Sequence, residues 1–211
     1  MSGLENEYRQ RFETILVPLA EALERHLKDT LQGEVRIDRI SARAKNVDRF
    51  VAKATATENG KPKYSEPLRQ IQDQVGARVV TFYLSDVDRI AAIIERYYRR
   101  LESRVVVPDS ETEFDYFGRH FILLIPSELM PSGSDKSQAP EFFELQISTL
   151  FQHAWAEANH DLGYKPQSAT LARDAKRRIA YTSAQAWGAD RMFDELFREL
   201  VGNSSNASGA R

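Results

Sequence analysis

The chain has 211 residues, 42% of them hydrophobic, which is enough to bury one sizeable core with a helical extension. A net charge of −2 gives no bulk attraction to nucleic acid or to a lipid surface, so an anionic ligand must be held by local clusters of Arg and Lys. The absence of cysteine excludes disulfides and thiolate metal sites, and no apolar run approaches the roughly 20 residues of a membrane span.

The first residues, Met1 to Glu7, have neither a basic region nor an apolar run, so no signal peptide is expected and a cytoplasmic location is the default. Residues 4–30 carry Phe12, Ile15, Leu16, Leu19 and Leu23 at helical spacing, with Pro18 expected to kink or split the helix. A turn at Gln32-Gly33 leads into an alternating stretch from Glu34 to Lys45. There Arg39, Ser41, Arg43 and Lys45 share one parity, which would put a row of cations on one face of a strand. The same row would also suit a solvated edge strand guarded against aggregation. Asn46 is placed to cap a helix from Val47 to Ala56, and residues 58–63 read as a loop.

Pro67 to Asp73 reads as a short helix or turn. Residues 79–84 are mostly β-branched and aromatic, apolar on both faces, and predict a strand central in its sheet. Ser85-Asp-Val-Asp88 resembles a capping box opening an amphipathic helix to about Leu101. A short strand from Arg104 follows, then a loop over 108–115 with Asp109, Glu111, Glu113 and Asp115. A strand from Tyr116 to Pro126 and a Ser/Pro/Gly-rich loop to Pro140 complete this part.

Residues 141–165 change period. Phe143, Leu145 and Ile147 alternate with Glu144, Gln146 and Ser148, which predicts a strand with one packed face and one polar face. Phe151, Trp155 and Ala158 then form a helical stripe, with His153, Glu157 and His160 on another face. That last trio has spacing open to a zinc ion but lacks an evident fourth ligand. Helix continues to about residue 200, with Gly188 a weak point, and a Ser/Asn/Gly tail over 201–211 is expected to be disordered. The pattern predicts one α/β or α+β domain over 1–200: a mixed sheet packed against helices. Its parts are a helical flank at 4–30, a catalytic core at 34–165 and C-terminal helices at 166–200.

Asp73 precedes the central strand and Glu144 lies on a later one, so the two carboxylates converge if those strands are neighbours. Two carboxylates with phosphate oxygens suit Mg²⁺. Arg43, Lys45, Lys53 and Arg78 supply cations nearby, and Tyr116 is placed to stack a base. These are the parts for phosphoryl or nucleotidyl transfer.

In order the chain carries Arg43-Ala-Lys45, then Ile71-Gln-Asp-Gln-Val-Gly-Ala-Arg-Val79, then Tyr116-Phe-Gly-Arg-His120, then Glu144-Leu-Gln-Ile-Ser-Thr149, then Trp155-Ala and His160-Asp-Leu-Gly-Tyr-Lys165. This order of pieces resembles the RelA/SpoT alarmone synthetase domain. The likeness spans about residues 10–200, a length that leaves no room for a hydrolase or regulatory region, so a small synthetase-only member is expected. It implies a nucleotidyltransferase-like fold that moves the β,γ-pyrophosphate of ATP to the 3′-hydroxyl of GDP or GTP, giving AMP and (p)ppGpp. By position, Asp73 matches the Mg²⁺ ligand, and Glu144 the carboxylate that binds metal or acts as general base. Arg43, Lys45, Lys53 and Arg78 fall to ATP, and Tyr116, His120, Gln146, His160 and Lys165 to the acceptor nucleotide.

Four departures from the family pattern bear on the acceptor. Asp115 stands where the family has Gly, Gly118 where it has Ser, and Ser148 where it has Arg, while the loop at 108–115 is acidic where the family's is lysine-rich. The alternatives are a toxin-like member acting on the tRNA 3′ end or adenosine nucleotides, and an inactive nucleotide-binding relative. Small members assemble into tetramers, so a homo-oligomer is a possible state.

Overall fold

The structure, a computed structural model, describes residues 3–105, 118–130, 138–164 and 173–208. Helix α1 (Gly3–Arg11) runs into a π-helical segment, Phe12–Leu16, and then into α2 (Val17–Thr30). Pro18 is the cause of this expected split. It has no N–H to donate and its ring crowds the preceding turn, and just ahead of it the Val17 N–H bonds back five residues to the Phe12 carbonyl. Leu19, Leu23 and Leu27 are fully buried on the face that α2 lays on the sheet.

The chain then makes β1 (Ile37–Ala44), α3 (Val47–Ala54), a hairpin of β2 (Thr57–Glu58) and β3 (Lys61–Pro62), α4 (Pro67–Gln70), and a 3₁₀ turn at Gln72–Gln74. Next come β4 (Val75–Thr81), α5 (Leu84–Tyr97), β5 (Arg100–Val105), β6 (Arg119–Leu124), β7 (Phe142–Thr149), α6 (Leu150–Tyr164) and α7 (Arg173–Ser208). The main sheet has the order β1-β4-β7-β6-β5; β4 and β7 are parallel and the other pairs antiparallel. This is the mixed α/β architecture the pattern predicted, with helical segments before and after the sheet.

Several boundaries differ from expectation. The first strand starts at Ile37, because Arg36 adopts a left-handed backbone (φ 62°) and Val35 is 56% exposed. The Arg36 guanidinium is held there by a bidentate pair with buried Asp86 at 2.8–3.1 Å. The expected loop at 58–63 is a tight hairpin whose Asn59-Gly60 corner has φ of 53° and 76°, a two-residue turn that this dipeptide suits. The strand expected at 79–84 is displaced to 75–81, and it is central as expected, with neighbours on both edges. Helix α5 ends at Tyr97, where the chain turns extended at Tyr98. Helix α7 reaches Ser208, into the segment expected to be disordered. The expected loop at 108–115 lies outside the described residues.

The sheet has two chemically distinct faces. On one, Val75, Ala77 and Val79 of β4 join Phe143, Leu145 and Ile147 of β7 and Phe121 and Leu123 of β6, all at most 5% exposed. Helices α2 and α5 cover this face, and Ile90, Ala91 and Ile94 of α5 are completely buried. The alternate residues point the other way and form the floor of the candidate site.

Candidate active site

Strand register turns the second face into two rows. Arg43 pairs with Gly76, Gly76 with Glu144, Glu144 with Ile122, and Ile122 with Glu102. One step along, Ser41 pairs with Arg78, Arg78 with Gln146, and Gln146 with His120. Directly paired residues share a face, so residues as far apart in sequence as Ser41 and Gln146 lie on one floor. The cation row on β1 is thus both on an edge strand and at the wall of a cleft.

Asp73 enters from the 3₁₀ turn before β4, with its backbone off helical values at φ −90° and ψ 32°. Its carboxylate meets Lys45 Nζ at 2.6 Å and Lys53 Nζ at 3.0 Å. Burial alone would raise the Asp73 pKa, but the hydrogen bonds and charges of the two lysines outweigh it and hold the carboxyl below its ordinary range. Asn46 caps α3, its Oδ1 accepting from the Asp48 N–H at 2.9 Å, and this fixes the helix that carries Lys53.

Glu144 accepts from His120 Nδ1 at 3.0 Å and from Gln146 Nε2 at 3.2 Å, both on its Oε1. The His120 hydrogen bond chiefly lowers its pKa; burial and the nearby Asp73 charge oppose this and lose. Gln146 accepts in turn from Arg78 Nη2 at 3.3 Å, while Arg78 Nη1 donates to Glu157 at 2.6 Å and lies 3.2 Å from His153 Nδ1. A chain of polar contacts therefore runs from α6 across the floor to Glu144. Glu157 is held below its ordinary range first by the Arg78 hydrogen bond, and His153 is pushed down by burial and the Arg78 charge. With His153 and Glu157 both spent on Arg78, no zinc-binding trio forms with His160. No group of three or more His, Asp or Glu able to hold a metal exists among the described residues.

Two clefts open from this floor. The first, about 490 Å³, is lined by Arg43, Lys45, Arg49 and Arg78 together with Asp73, Glu144 and Gln146. The second, about 320 Å³, is lined by Lys53, Tyr64, Glu102 and His120, again with Asp73 and Glu144. The two carboxylates form the wall that both clefts share. Arg49 and Tyr64 went unremarked in the sequence. Arg49 stands four residues before Lys53, on the same side of α3, and that spacing was the available signal. Tyr64 has no local signal, because its position depends on how the hairpin folds back.

Of the other expected site residues, His160 is exposed on the last turns of α6 and is not among the lining residues of either cleft. Tyr116 and Lys165 lie outside the described residues. Gly118 has a steric reason: a Cβ there would collide with the Ile147 carbonyl and sit 2.9 Å from Ser148 Cα, so the Ser of the family pattern has no room. Ser148 is 8% exposed, and its carbonyl accepts from the Thr81 hydroxyl at 3.3 Å.

Comparison with known proteins bears on the family and the fold. The model of the region found in RelA / SpoT proteins matches residues 42–169. GTP pyrophosphokinase YjbM of Bacillus subtilis (strain 168) is 25% identical over 206 residues, covering 90% of each chain. The crystal structure of small alarmone synthetase 1 from Bacillus subtilis superposes with a TM-score of 0.67 at 21% identity, covering 94% of this chain and 96% of that one. The same synthetase bound to its product pppGpp gives a TM-score of 0.67 at 23% identity, covering 92% and 95%.

Proposed function

Because the chain belongs to the RelA/SpoT family, matched over more than half its length, we infer that it is a GTP pyrophosphokinase that moves the β,γ-pyrophosphate of ATP to the 3′-hydroxyl of GDP or GTP. The products are AMP and a (p)ppGpp alarmone. The observation that carries this reading is the shared wall: Asp73 and Glu144 stand between a cationic cleft and a second cleft, as a transfer between two bound nucleotides requires.

ATP is assigned to the first cleft, where Arg43, Lys45, Arg49 and Arg78 offset triphosphate charge; Lys53, expected at ATP, lines the second cleft instead and stands at the shared wall through its pair with Asp73. The acceptor is assigned to the second, which His120 lines; Gln146, expected at the acceptor, lines the first cleft instead and meets the shared wall through its hydrogen bond to Glu144. Tyr116, His160 and Lys165 keep the acceptor roles that the family pattern gives them. In the reaction the acceptor 3′-oxygen attacks the β-phosphorus, the bond from that phosphorus to the α–β bridging oxygen breaks, and AMP departs with the bridging oxygen. Glu144 accepts the proton of the 3′-hydroxyl, and its hydrogen bonds from His120 and Gln146 keep it ionised and aimed for that task.

The donor chemistry suits Mg²⁺: Asp73 and Glu144 are hard oxygen donors on the wall shared by the two clefts, where phosphate oxygens and water can complete a coordination shell. Asp73 and Glu144 would hold it, and when bound it would neutralise charge developing on the triphosphate. No helix among the described residues is long and apolar enough to cross a membrane, and a cytoplasmic location suits the nucleotides used.

The test is AMP release from ATP and Mg²⁺ with GDP, GTP, ADP or ATP supplied in turn, using Glu144→Gln as control. Release that depends on a guanosine nucleotide and falls about 10²–10⁴-fold in the variant supports the reading. Folded protein that releases no AMP with any acceptor overturns it.

A further inference from the structure

Tyr8 and Arg11 of α1 lie outside both clefts, yet Tyr8 bonds the cleft residue Lys45 and Arg11 bonds Gln74, the neighbour of Asp73. Arg11 is 8% exposed. Its Nη1 donates to the Leu68 carbonyl at 2.8 Å and to Gln74 Oε1 at 3.1 Å. Gln74 is 1% exposed, and its Nε2 donates to the carbonyls of Leu68 at 2.8 Å and Ile71 at 2.9 Å. The segment 68–74 is therefore stapled from within by Gln74 and from without by Arg11.

Asp73 sits inside that staple. Its 3₁₀ turn has three residues and no side-chain cap, so the turn's own hydrogen bonds do little to fix it. The staple also reaches the partner of Asp73. The Gln74 carbonyl accepts the Lys45 N–H at 2.8 Å, and the Lys45 carbonyl accepts the Tyr8 hydroxyl at 2.9 Å. Tyr8 stacks at 3.6 Å on Phe50 of α3, the helix that carries Lys53. One face of α1 thus holds Asp73 and both of its lysines.

Stability alone does not account for a guanidinium here. Burial drives the Arg11 pKa down, which measures the penalty on its charge. Deleting both donors would strand the Leu68 and Ile71 carbonyls, but a neutral amide at position 11 could serve the Leu68 carbonyl without a charge penalty. What a hydrophobe cannot do is hold two acceptors at set angles, as a planar fork of donors does.

We propose that Arg11, acting through Gln74, is a positioning residue that sets the Asp73 carboxylate for Mg²⁺-dependent binding of ATP. This rests on the pyrophosphate-transfer reading above. The test is calorimetric titration of the full chain with a non-hydrolysable ATP analogue, with and without Mg²⁺, alongside thermal melts. Arg11→Met is expected to weaken Mg²⁺-dependent binding by about tenfold, the usual cost of removing a group that supports a metal ligand, and to change metal-free binding little. Arg11→Lys should recover part of the loss. The double variant Arg11→Met with Gln74→Leu also strands the Leu68 and Ile71 carbonyls and should melt lower still, so positioning is read from Mg²⁺-dependent affinity at a temperature where the melts show it folded, and that affinity should stay low while metal-free binding changes little. A folded double variant that binds the analogue with wild-type affinity and metal dependence overturns the proposal. Wild-type protein that shows no Mg²⁺-dependent binding overturns the pyrophosphate-transfer reading, and this inference with it.

Discussion

The two carboxylates of the shared wall are kept ionised by different neighbours, and this separates their responses to pH. Glu144 owes its lowered pKa first to His120. His120→Ala removes that donor, so the Glu144 pKa should rise and the acid limb of the pH–rate profile should move to higher pH. An unmoved acid limb, with activity merely reduced, would show that His120 does not govern Glu144. Asp73 is lowered by Lys45 and Lys53 against the opposing effect of burial. Its folded pKa is depressed, so its contribution to stability is complete above the unfolded carboxylate value and is lost as pH falls through the folded value. Asp73→Asn should therefore melt lower than wild type at neutral pH, with the gap closing in acid; a gap that is constant with pH would rule out the ion pairs as its source. Both carboxylates were legible as candidates because parity and proximity to a strand are local properties. Arg11 and Gln74 were not, since their meeting joins residues 63 apart in sequence that no local pattern relates.

At the scale of elements, the strands were legible where one face alternates cleanly, as in β7. The helix ends were not. Ser85-Asp-Val-Asp88 reads as a capping box, but α5 starts at Leu84 and its N-cap residue, Tyr83, makes no side-chain cap. The cap comes from α7, where Asp194 Oδ1 accepts the Ser85 N–H at 2.8 Å. Asp194 is 6% exposed and its other oxygen pairs with Arg198 at 2.8 Å. A carboxylate at a helix N-terminus satisfies an otherwise orphaned donor wherever in the chain it originates. Asp194→Ala should cost about 1 kcal/mol, as loss of a capping side chain does. For a chain of this size that lowers the melting temperature by roughly 2–4 °C. Asp194→Asn keeps the acceptor and should lose less. Equal losses for the two variants would assign the effect to the Arg198 pair instead.

For the whole molecule, the sheet floor separates charge. The first cleft has four cations, Arg43, Lys45, Arg49 and Arg78, against the two shared carboxylates. The second has Lys53 against Asp73, Glu102 and Glu144. With the donor and acceptor placed as proposed, a polyphosphate donor and an anionic acceptor meet fields of opposite sign on either side of the shared wall. The sequence showed half of this: the acidic stretch at 108–115 already pointed to an unfavourable acceptor side, but Glu102 entered the floor only through strand pairing. The fields can be told apart by screening. Raising salt from about 0.1 M to about 1 M shortens the Debye length from roughly 10 Å to roughly 3 Å. The KM for ATP should then rise several-fold, because attraction in the first cleft is being screened. The KM for the guanosine acceptor should stay level or fall, because there the screened interaction is partly repulsive. Arg49→Ala should raise the KM for ATP at low salt and flatten its salt dependence without altering that of the acceptor. If both KM values rise in parallel with salt, the nucleotides do not occupy differently charged clefts, and the assignment of donor to the first and acceptor to the second fails.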